Sequence, residues 1–255
     1  MNWWKPKNKY VVDVGVCSDV GQVRTENQDA YGHFPEGSTK HTPERLFIVA
    51  DGMGGHARGE EASQLAVAVL QQTFFDEGQW SVGERLRRAF EAANTRVYEL
   101  GQAGDGRETM GTTCTALALV NGHVHLAHVG DSRGYRVDDQ GMDQLTRDHT
   151  LVEELRRQGV LTEDEARMHP RRHALIRALG IQPTLEIDVL DAMPVAAPQY
   201  YVLCSDGLAP VSDEEIRQVV LAAPPQQASE RLVQLANERG GPDNVTVLIV
   251  AISRS

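Results

Sequence analysis

The chain has 255 residues, of which 41% are hydrophobic, so it can form one large domain or two small ones around a substantial core. Its formal net charge of −11 at pH 7 argues against nucleic acid or an anionic membrane as the main partner. The acidity does not exclude a phosphorylated substrate, because bound cations can invert the local charge.

The three cysteines, Cys17, Cys114 and Cys204, lie in apolar runs without C-x-x-C spacing. An odd, scattered set of this kind indicates reduced, buried thiols in a cytosolic protein. The first ten residues lack the apolar segment of a signal peptide, and no apolar run approaches the ~20 residues of a membrane span. We therefore expect a soluble, cytoplasmic protein.

The first half of the chain predicts three strands and then two helices. Residues 10–17 and 29–34 are candidate strands, and residues 45–51 form an apolar run of the kind that is buried on both faces. Helical periodicity follows in 59–75 and in 81–101, where a serine at the start is a plausible N-cap and a glycine at the end a stop.

The second half predicts mainly hairpins and paired helices. The dipeptide Asn121-Gly122 separates two apolar runs, which is a strong hairpin signal. Residues 149–179 have a mostly helical, highly charged pattern. The remaining predicted elements are strands at 133–139, 185–190, 199–205 and 245–253, and helices at 212–223, with Ser212 as cap, and at 225–240, started by Pro225.

This order of elements lacks strict βαβ alternation. It predicts an α+β fold with antiparallel sheets between helical layers. We find no repeat, low-complexity tract or interdomain linker, so we expect a single domain over residues 1–255 with a core of about 10–252.

Five aspartates stand at the ends of apolar strands. They are Asp29, Asp51, Asp131, Asp206 and Asp243. Carboxylates suit hard divalent cations, and two such ions about 3.5–4 Å apart can activate water and clamp a phosphoryl group. Without a matching set of His or Cys ligands, the composition favours Mg²⁺ or Mn²⁺ over Zn²⁺. The alternative is that Asp-Gly pairs simply build turns.

A series of motifs resembles a known family from about residue 13 to 251. In order, the motifs are SDVGQVRTENQD, VADGMGG, MGTT, HVGDSRGYR, LTRDH, CSDGL and GGPDNVTV. Together they are similar to the bacterial branch of the metal-dependent serine/threonine phosphatases of type 2C. The resemblance implies a four-layer α-β-β-α sandwich of two antiparallel sheets flanked by helices.

The resemblance also implies the roles of individual residues. Asp51 would bridge two metal ions, with the Gly52 carbonyl as a further ligand. Asp206 and Asp243 would complete the shell of one ion, and Asp131 would serve a third, weaker site with help from Asp206. Asp29 would orient bound water, and Arg24 would grip the substrate phosphate, which its planar fork of donors suits. A surface salt bridge is the alternative role of Arg24.

The general acid departs from the family pattern. Many eukaryotic relatives carry a histidine directly after the Asp-Gly pair, where this chain has Met53. His56 and a metal-bound water are the remaining candidates, and His56 can equally be a loop histidine with no catalytic role.

The H-x-H-x-x-H set of His123, His125 and His128 is a weaker metal candidate. The first two would share one strand face and the third would point to the other, so we expect strand-surface histidines. Residues 148–180 correspond to a variable flap beside the family's active site. The flap arginines at 156, 157, 171 and 172 suit contacts to a phosphoprotein, or simply form a solvated helical face.

We therefore expect a monomeric phosphoserine/phosphothreonine phosphatase that uses two Mn²⁺ or Mg²⁺ ions and opposes a bacterial Ser/Thr kinase. Its partners would be phosphorylated proteins, with no nucleic acid and no membrane. The alternatives are a hydrolase of small phosphate esters and a catalytically silent phosphoprotein-binding module of the same fold.

Overall fold

The structure is a computed structural model that describes residues 10–35, 44–54, 58–76, 78–103 and 110–254. The strands within these ranges are β1 (Tyr10–Asp19), β2 (Asp29–Phe34), β3 (Glu44–Met53), β4 (Gly111–Thr112), β5 (Cys114–Val120), β6 (His123–Val129), β7 (Arg133–Val137), β8 (Met142–Gln144), β9 (Asp188–Pro194), β10 (Gln199–Cys204) and β11 (Val245–Arg254). The helices within them are α1 (Arg58–Phe75), α2 (Val82–Gln102), α3 (Leu151–Arg157), α4 (Glu163–Met168), α5 (Asp213–Ala222) and α6 (Pro225–Glu238).

The strands form two antiparallel sheets that are stacked face to face. One has the order β1-β11-β10-β7-β8, and the other has the order β2-β3-β5-β6-β9, with β4 attached to β3. Helices α1 and α2 cover the outer face of the second sheet, and α5 and α6 cover the first. A third apolar layer fills the space between the sheets. The predicted four-layer α-β-β-α sandwich is confirmed.

Strand β3 shows how the sequence specifies these layers. Successive side chains of a strand point to opposite faces. Leu46, Ile48 and Ala50 therefore pack under α1 and α2, whereas Phe47 and Val49 pack against the other sheet. All five side chains are at most 1% exposed, so the prediction of a strand buried on both faces is confirmed.

Several local predictions are also confirmed. Asn121 and Gly122 both have positive φ, as a two-residue hairpin turn between β5 and β6 requires. The Ser81 side chain accepts a hydrogen bond from the Glu84 amide and so caps α2. Pro225 is the first residue of α6, where its missing N–H is not needed.

The prediction of mostly helical structure in 149–179 is wrong. Only the short helices α3 and α4 form there, and the remainder is turns, extended residues and isolated β-bridges. Gly159 has φ +73° and ends the α3 turn, and His169 is extended because Pro170 follows it. The strand expected at 185–190 runs instead over Asp188–Pro194, where it pairs with β6.

The expectation of strand-surface histidines on β6 is wrong for two of the three. His125 is 7% exposed and contacts Asp191 of β9, and His128 is fully buried. Both are tolerated inside because each ring is hydrogen-bonded. Only His123 is exposed. No helix among the described residues is both long and apolar enough to cross a bilayer.

Candidate metal centre

The strand ends bring the predicted acidic residues to one edge of the sandwich. Asp29 and Asp51 face each other in the register of β2 and β3. Asp206 follows β10 and opens a single 3₁₀ turn, and Asp243 precedes the adjacent strand β11. Asp131 follows β6. A cavity of about 710 Å³ opens among these strand ends. It is lined by Asp51, Asp131, Asp206 and Asp243, and also by Arg24, Gly52 and Met53.

Two glycines allow the close approaches that shape this cavity. A Cβ atom on Gly52 would lie 2.0 Å from the carbonyl oxygen of Gly59, which belongs to the first turn of α1. A Cβ atom on Gly207 would lie 2.0 Å from the carbonyl oxygen of Asn244. Any side chain at either position would therefore push the acidic residues beside it out of place.

The backbone of Asp51 is fixed by two threonines that sequence reasoning did not single out. The Asp51 amide donates to Thr113 Oγ1 at 3.0 Å. Its carbonyl oxygen accepts from the Thr113 amide at 2.8 Å and from Thr112 Oγ1 at 2.9 Å. Both threonines lie in the MGTT motif, which gave no chemical signal beyond its place in the ordered series.

Asn244 holds the loop that carries Arg24. Its side-chain amide donates to the carbonyl oxygens of Val20 and Glu26, and its Oδ1 accepts from the Gln28 amide at 2.8 Å. The loop from β1 to β2 is therefore tied to the start of β11. This places the Arg24 Nη2 atom 2.8 Å from Asp243 Oδ2.

Asp29 lies behind the cavity wall, where it is 9% exposed. Its Oδ2 accepts a hydrogen bond from Ser205 Oγ at 2.7 Å, but its Oδ1 is buried without a hydrogen-bond partner. Asp206 Oδ1 is likewise buried without a partner. Two buried carboxylate oxygens at one site thus lack the hydrogen bond or counter-charge that a buried charge requires.

The carboxylates also repel one another. Burial, reinforced by the charges of Asp206 and Asp243, raises the pKa of Asp29 to about 7. Burial and the Asp206 charge raise the pKa of Asp131 to about 7. Burial and the surrounding carboxylates likewise raise the pKa of Asp51 well above its usual value. Cations bound among these groups would offset the repulsion and satisfy the orphaned oxygens.

The donor chemistry fits Mg²⁺ or Mn²⁺, since the candidate ligands are oxygens. In their present positions, no three His, Cys, Asp or Glu side chains of the described residues form a group that could hold one ion. Asp243 is instead paired with Arg24. An ion that binds Asp243 therefore has to compete with the guanidinium for the same carboxylate.

Two histidines are candidates for the general acid, and the structure describes one of them. His56 lies outside the described residues. His173, which sequence reasoning did not single out, lines the cavity, and its Nδ1 lies 3.7 Å from Asp206 Oδ2. This contact raises the pKa of His173. The two residues are distant in the chain and meet only in the tertiary structure, so no local pattern could have identified the pair.

A second, larger cavity continues from the first. Its volume is about 1020 Å³, and it shares Asp131, His173 and Asp206 with the metal cavity. One wall is the segment from Thr150 to His173, which includes α3 and α4, and the other is the 3₁₀ turn and the start of α5. We call this cavity the flap groove.

Comparison with known proteins defines the class. The family model "Protein phosphatase 2C" matches residues 22–244. The chain belongs to this family. It is 36% identical over 248 residues to protein phosphatase PhpP of Streptococcus pneumoniae, which covers 95% of this chain and 98% of PhpP.

A second relative is longer than this chain. The serine/threonine protein phosphatase PstP of Mycobacterium tuberculosis is 38% identical over 239 residues, covering 92% of this chain. The chain spans only 44% of the length of PstP. A crystal structure of PstP superposes with a TM-score of 0.85 at 37% identity, covering 96% of this chain and 100% of that chain. The PstP catalytic domain in complex with two manganese ions has a TM-score of 0.81 at 36% identity, covering 96% and 99%.

Proposed function

We propose that this protein is a metal-dependent phosphatase that removes phosphate from phosphoserine and phosphothreonine in proteins. The observation that carries the proposal is one cavity lined by four strand-end carboxylates and by Arg24. Anionic ligands attract divalent cations, and a guanidinium suits phosphate oxygens. The manganese-bound PstP structure and the names of the relatives support the same chemistry.

We assign the residues in and beside this cavity to metal binding, water orientation and phosphate binding. Asp51, with the carbonyl of Gly52, would hold two ions, which would neutralise phosphate charge and activate a water nucleophile when bound. Asp206 and Asp243 would complete one shell, and Asp131 would hold a weaker third ion. The buried Asp29 carboxylate would orient the attacking water from behind, and the Arg24 guanidinium would hold the phosphoryl oxygens in line with it.

No covalent phosphoenzyme is part of this proposal. Burial raises the pKa of Cys204 to about 12 and raises that of Cys114 above its ordinary value, so neither thiol is a thiolate nucleophile near neutral pH. Burial also raises the pKa of Cys17. The leaving alkoxide needs a proton, for which His56 remains a prediction and His173 is the second candidate.

The biological setting belongs to the proposal as well. We propose a monomeric, cytoplasmic enzyme with one catalytic domain, whose partners are phosphorylated proteins and the Ser/Thr kinase that modifies them. The flap groove adjoins the metal cavity, so a peptide whose phosphate lies at the aspartates would extend between α3–α4 and α5. We propose that the flap contacts the peptide there.

The test is hydrolysis of a phosphothreonine peptide with Mn²⁺, with Mg²⁺ and with EDTA. Wild type is compared with Asp206→Asn, and with Asp139→Asn as a control at an exposed turn outside the cavity. We expect metal-dependent phosphate release that Asp206→Asn abolishes and Asp139→Asn retains. An aryl phosphate is assayed beside the peptide. Phosphate release from the aryl phosphate but not from the peptide would indicate a small-ester hydrolase. No release from either substrate with any metal would indicate a silent binding module.

A further inference from the structure

The peptide that leads into Asp131 is held by two buried histidines. The Gly130 carbonyl oxygen accepts from the His149 amide at 2.7 Å and from His128 Nε2 at 3.1 Å. The Gly130 amide donates to His149 Nδ1 at 3.2 Å. His149 thus contacts Gly130 through both its backbone and its ring, and it is only 2% exposed.

The hydrogen bonds fix the protonation of both rings. A backbone amide can only donate, so His149 Nδ1 must be unprotonated and its Nε2 must carry the proton. That Nε2 lies 3.3 Å from Asp188 Oδ2, which can accept it. His128 Nε2 faces the carbonyls of Gly130 and Arg147 and is likewise the protonated atom. The two neutral rings are in contact, with their centroids 4.9 Å apart and their planes tilted by 39°.

Asp188 is held in turn by arginines. Arg177 Nη1 lies 3.1 Å from Asp188 Oδ1, and Arg147 Nη2 lies 3.6 Å from Asp188 Oδ2. The order of contacts is thus arginine, Asp188, His149, Gly130. It resembles the outer shells that orient metal ligands, in which a carboxylate fixes a histidine tautomer.

The same histidine also anchors the end of the flap. Its carbonyl oxygen accepts from the Ile176 amide at 2.9 Å, and two residues later the Leu151 amide donates to the Ala174 carbonyl at 2.8 Å. Leu175, Ile176 and Arg177 line the metal cavity. His149 therefore joins one cavity wall to the residue that precedes Asp131.

We propose that His149 is a positioning residue that fixes Asp131 for cation binding, acting through Gly130 and oriented by Asp188. The proposal rests on the proposed function, because it requires Asp131 to be a ligand. Neither the ring nor Asp188 has to contact an ion or the substrate. The orientation of Asp131 is restricted because the amide and the carbonyl of Gly130, the residue before it, are both hydrogen-bonded.

Two substitutions of His149 separate the Gly130 contact from simple space filling. His149→Asn places an amide oxygen near the position of Nδ1 and keeps the acceptor for the Gly130 amide. His149→Gln reaches toward Asp188 instead and leaves the Gly130 amide without its acceptor. We expect His149→Gln to weaken the weakest Mn²⁺ site by on the order of 10–100-fold, as loss of an outer-shell partner does, and His149→Asn to restore most of that affinity.

The measurement is calorimetric titration with Mn²⁺, with urea unfolding of each variant to record its stability. Asp131→Asn identifies which site depends on Asp131, and in that background His149→Gln should cause no further loss, since both act on one site. His125→Asn is the matched control, because His125 is also a buried, hydrogen-bonded histidine but lies on β6, away from Asp131. This substitution should leave all Mn²⁺ affinities unchanged.

Equal affinities in His149→Gln and His149→Asn, or equal weakening of every site, would overturn the proposal. Asp188→Asn weakens the contact that orients the His149 ring without changing His149 itself. The Asp188 side chain is 37% exposed, so we expect this variant to fold. It should weaken only the Asp131 site, by a smaller factor, and an unchanged site would also contradict us. If wild type binds no Mn²⁺, the metal assignment itself fails, and this inference fails with it.

Discussion

Arg24 is the residue for which the sequence and the structure emphasise different contacts. The resemblance assigns it to the substrate phosphate, whereas in the structure it is paired with Asp243 and its side chain is 55% exposed. The two roles are compatible, because a cation at Asp243 would compete for that carboxylate and leave the guanidinium available to a phosphate beside it.

We predict that Arg24→Ala raises KM for a phosphopeptide by about tenfold to a hundredfold, the range expected for losing a charged hydrogen bond. Arg24→Lys should have an intermediate KM, since it keeps the charge but not the fork of donors. Steady-state kinetics in saturating Mn²⁺ provides the measurement. A lower kcat with unchanged KM would contradict the role in phosphate binding.

Asp29 gives a pH-dependent prediction for the metal-free protein. Its pKa is about 7 in the folded state, against 3.8 ordinarily, so the folded state retains a proton that the unfolded chain has lost between these values. The stability that the Asp29 side chain contributes is therefore fully present below about pH 4. The free energy of unfolding of the wild type then falls as the pH rises to 7. Relative to wild type, Asp29→Asn should therefore become more stable by about 1–3 kcal/mol over this window.

Urea unfolding in EDTA at several pH values between 4 and 8 measures this difference. The buried His128 and His149 have lowered pKa values, which act in the opposite direction, but they are present in both proteins and cancel in the comparison. A difference between the two proteins that does not change with pH would show that Asp29 is ionised throughout.

The positions of single residues were predictable where chemistry is written into a local pattern. An aspartate between an apolar run and a glycine identified Asp51 and Asp206, and the structure places both on one cavity. His149 and His173 carried no such signal, since their partners are distant in the chain. Burial on β6 was missed for a related reason, because the groups that bond His125 and His128 come from other strands and from loops.

At the scale of elements, regular periodicity was the reliable guide. The long helices α1 and α2, the β5–β6 hairpin and the doubly buried β3 were all predictable from spacing and turn residues. The segment 149–179 was not, because its charged, helix-favouring composition is interrupted by Gly159 and Pro170, and its backbone is held by long-range bonds. One of these joins the Ile176 amide to the His149 carbonyl.

The flap groove yields a prediction at this scale. Arg172 lines the groove beside His173 and is exposed. For a phosphopeptide with acidic residues beside the phosphothreonine, Arg172→Glu should raise KM by about two- to fivefold, as an exposed charge contact permits. Hydrolysis of p-nitrophenyl phosphate should not change, because this small substrate does not reach the groove.

Arg254→Glu is the matched control, since it reverses an exposed arginine at the far end of β11 from Asp243. It should leave the kinetics of both substrates unchanged. Equal effects of Arg172→Glu on the peptide and on the aryl phosphate would contradict a role of the flap in peptide binding.

At the scale of the whole molecule, the stacking of two sheets creates the site. The pairs β2–β3 and β10–β11 belong to different sheets, yet Asp29 of one accepts a hydrogen bond from Ser205 beside the other. The sequence could predict that acidic residues end the strands. Which strands are neighbours, and therefore which carboxylates share a cavity, followed from the family resemblance and not from spacing.

The proposed function depends on two metal ions held by the aspartates at this edge. Anomalous diffraction from crystals soaked in Mn²⁺, recorded at the manganese edge, tests it most directly. We predict two peaks about 3.5–4 Å apart, bridged by the Asp51 carboxylate, with Asp206 and Asp243 at one of them. Crystals of Asp51→Asn should lose the pair. Peaks elsewhere, or no peaks in the cavity of the wild type, would contradict the account.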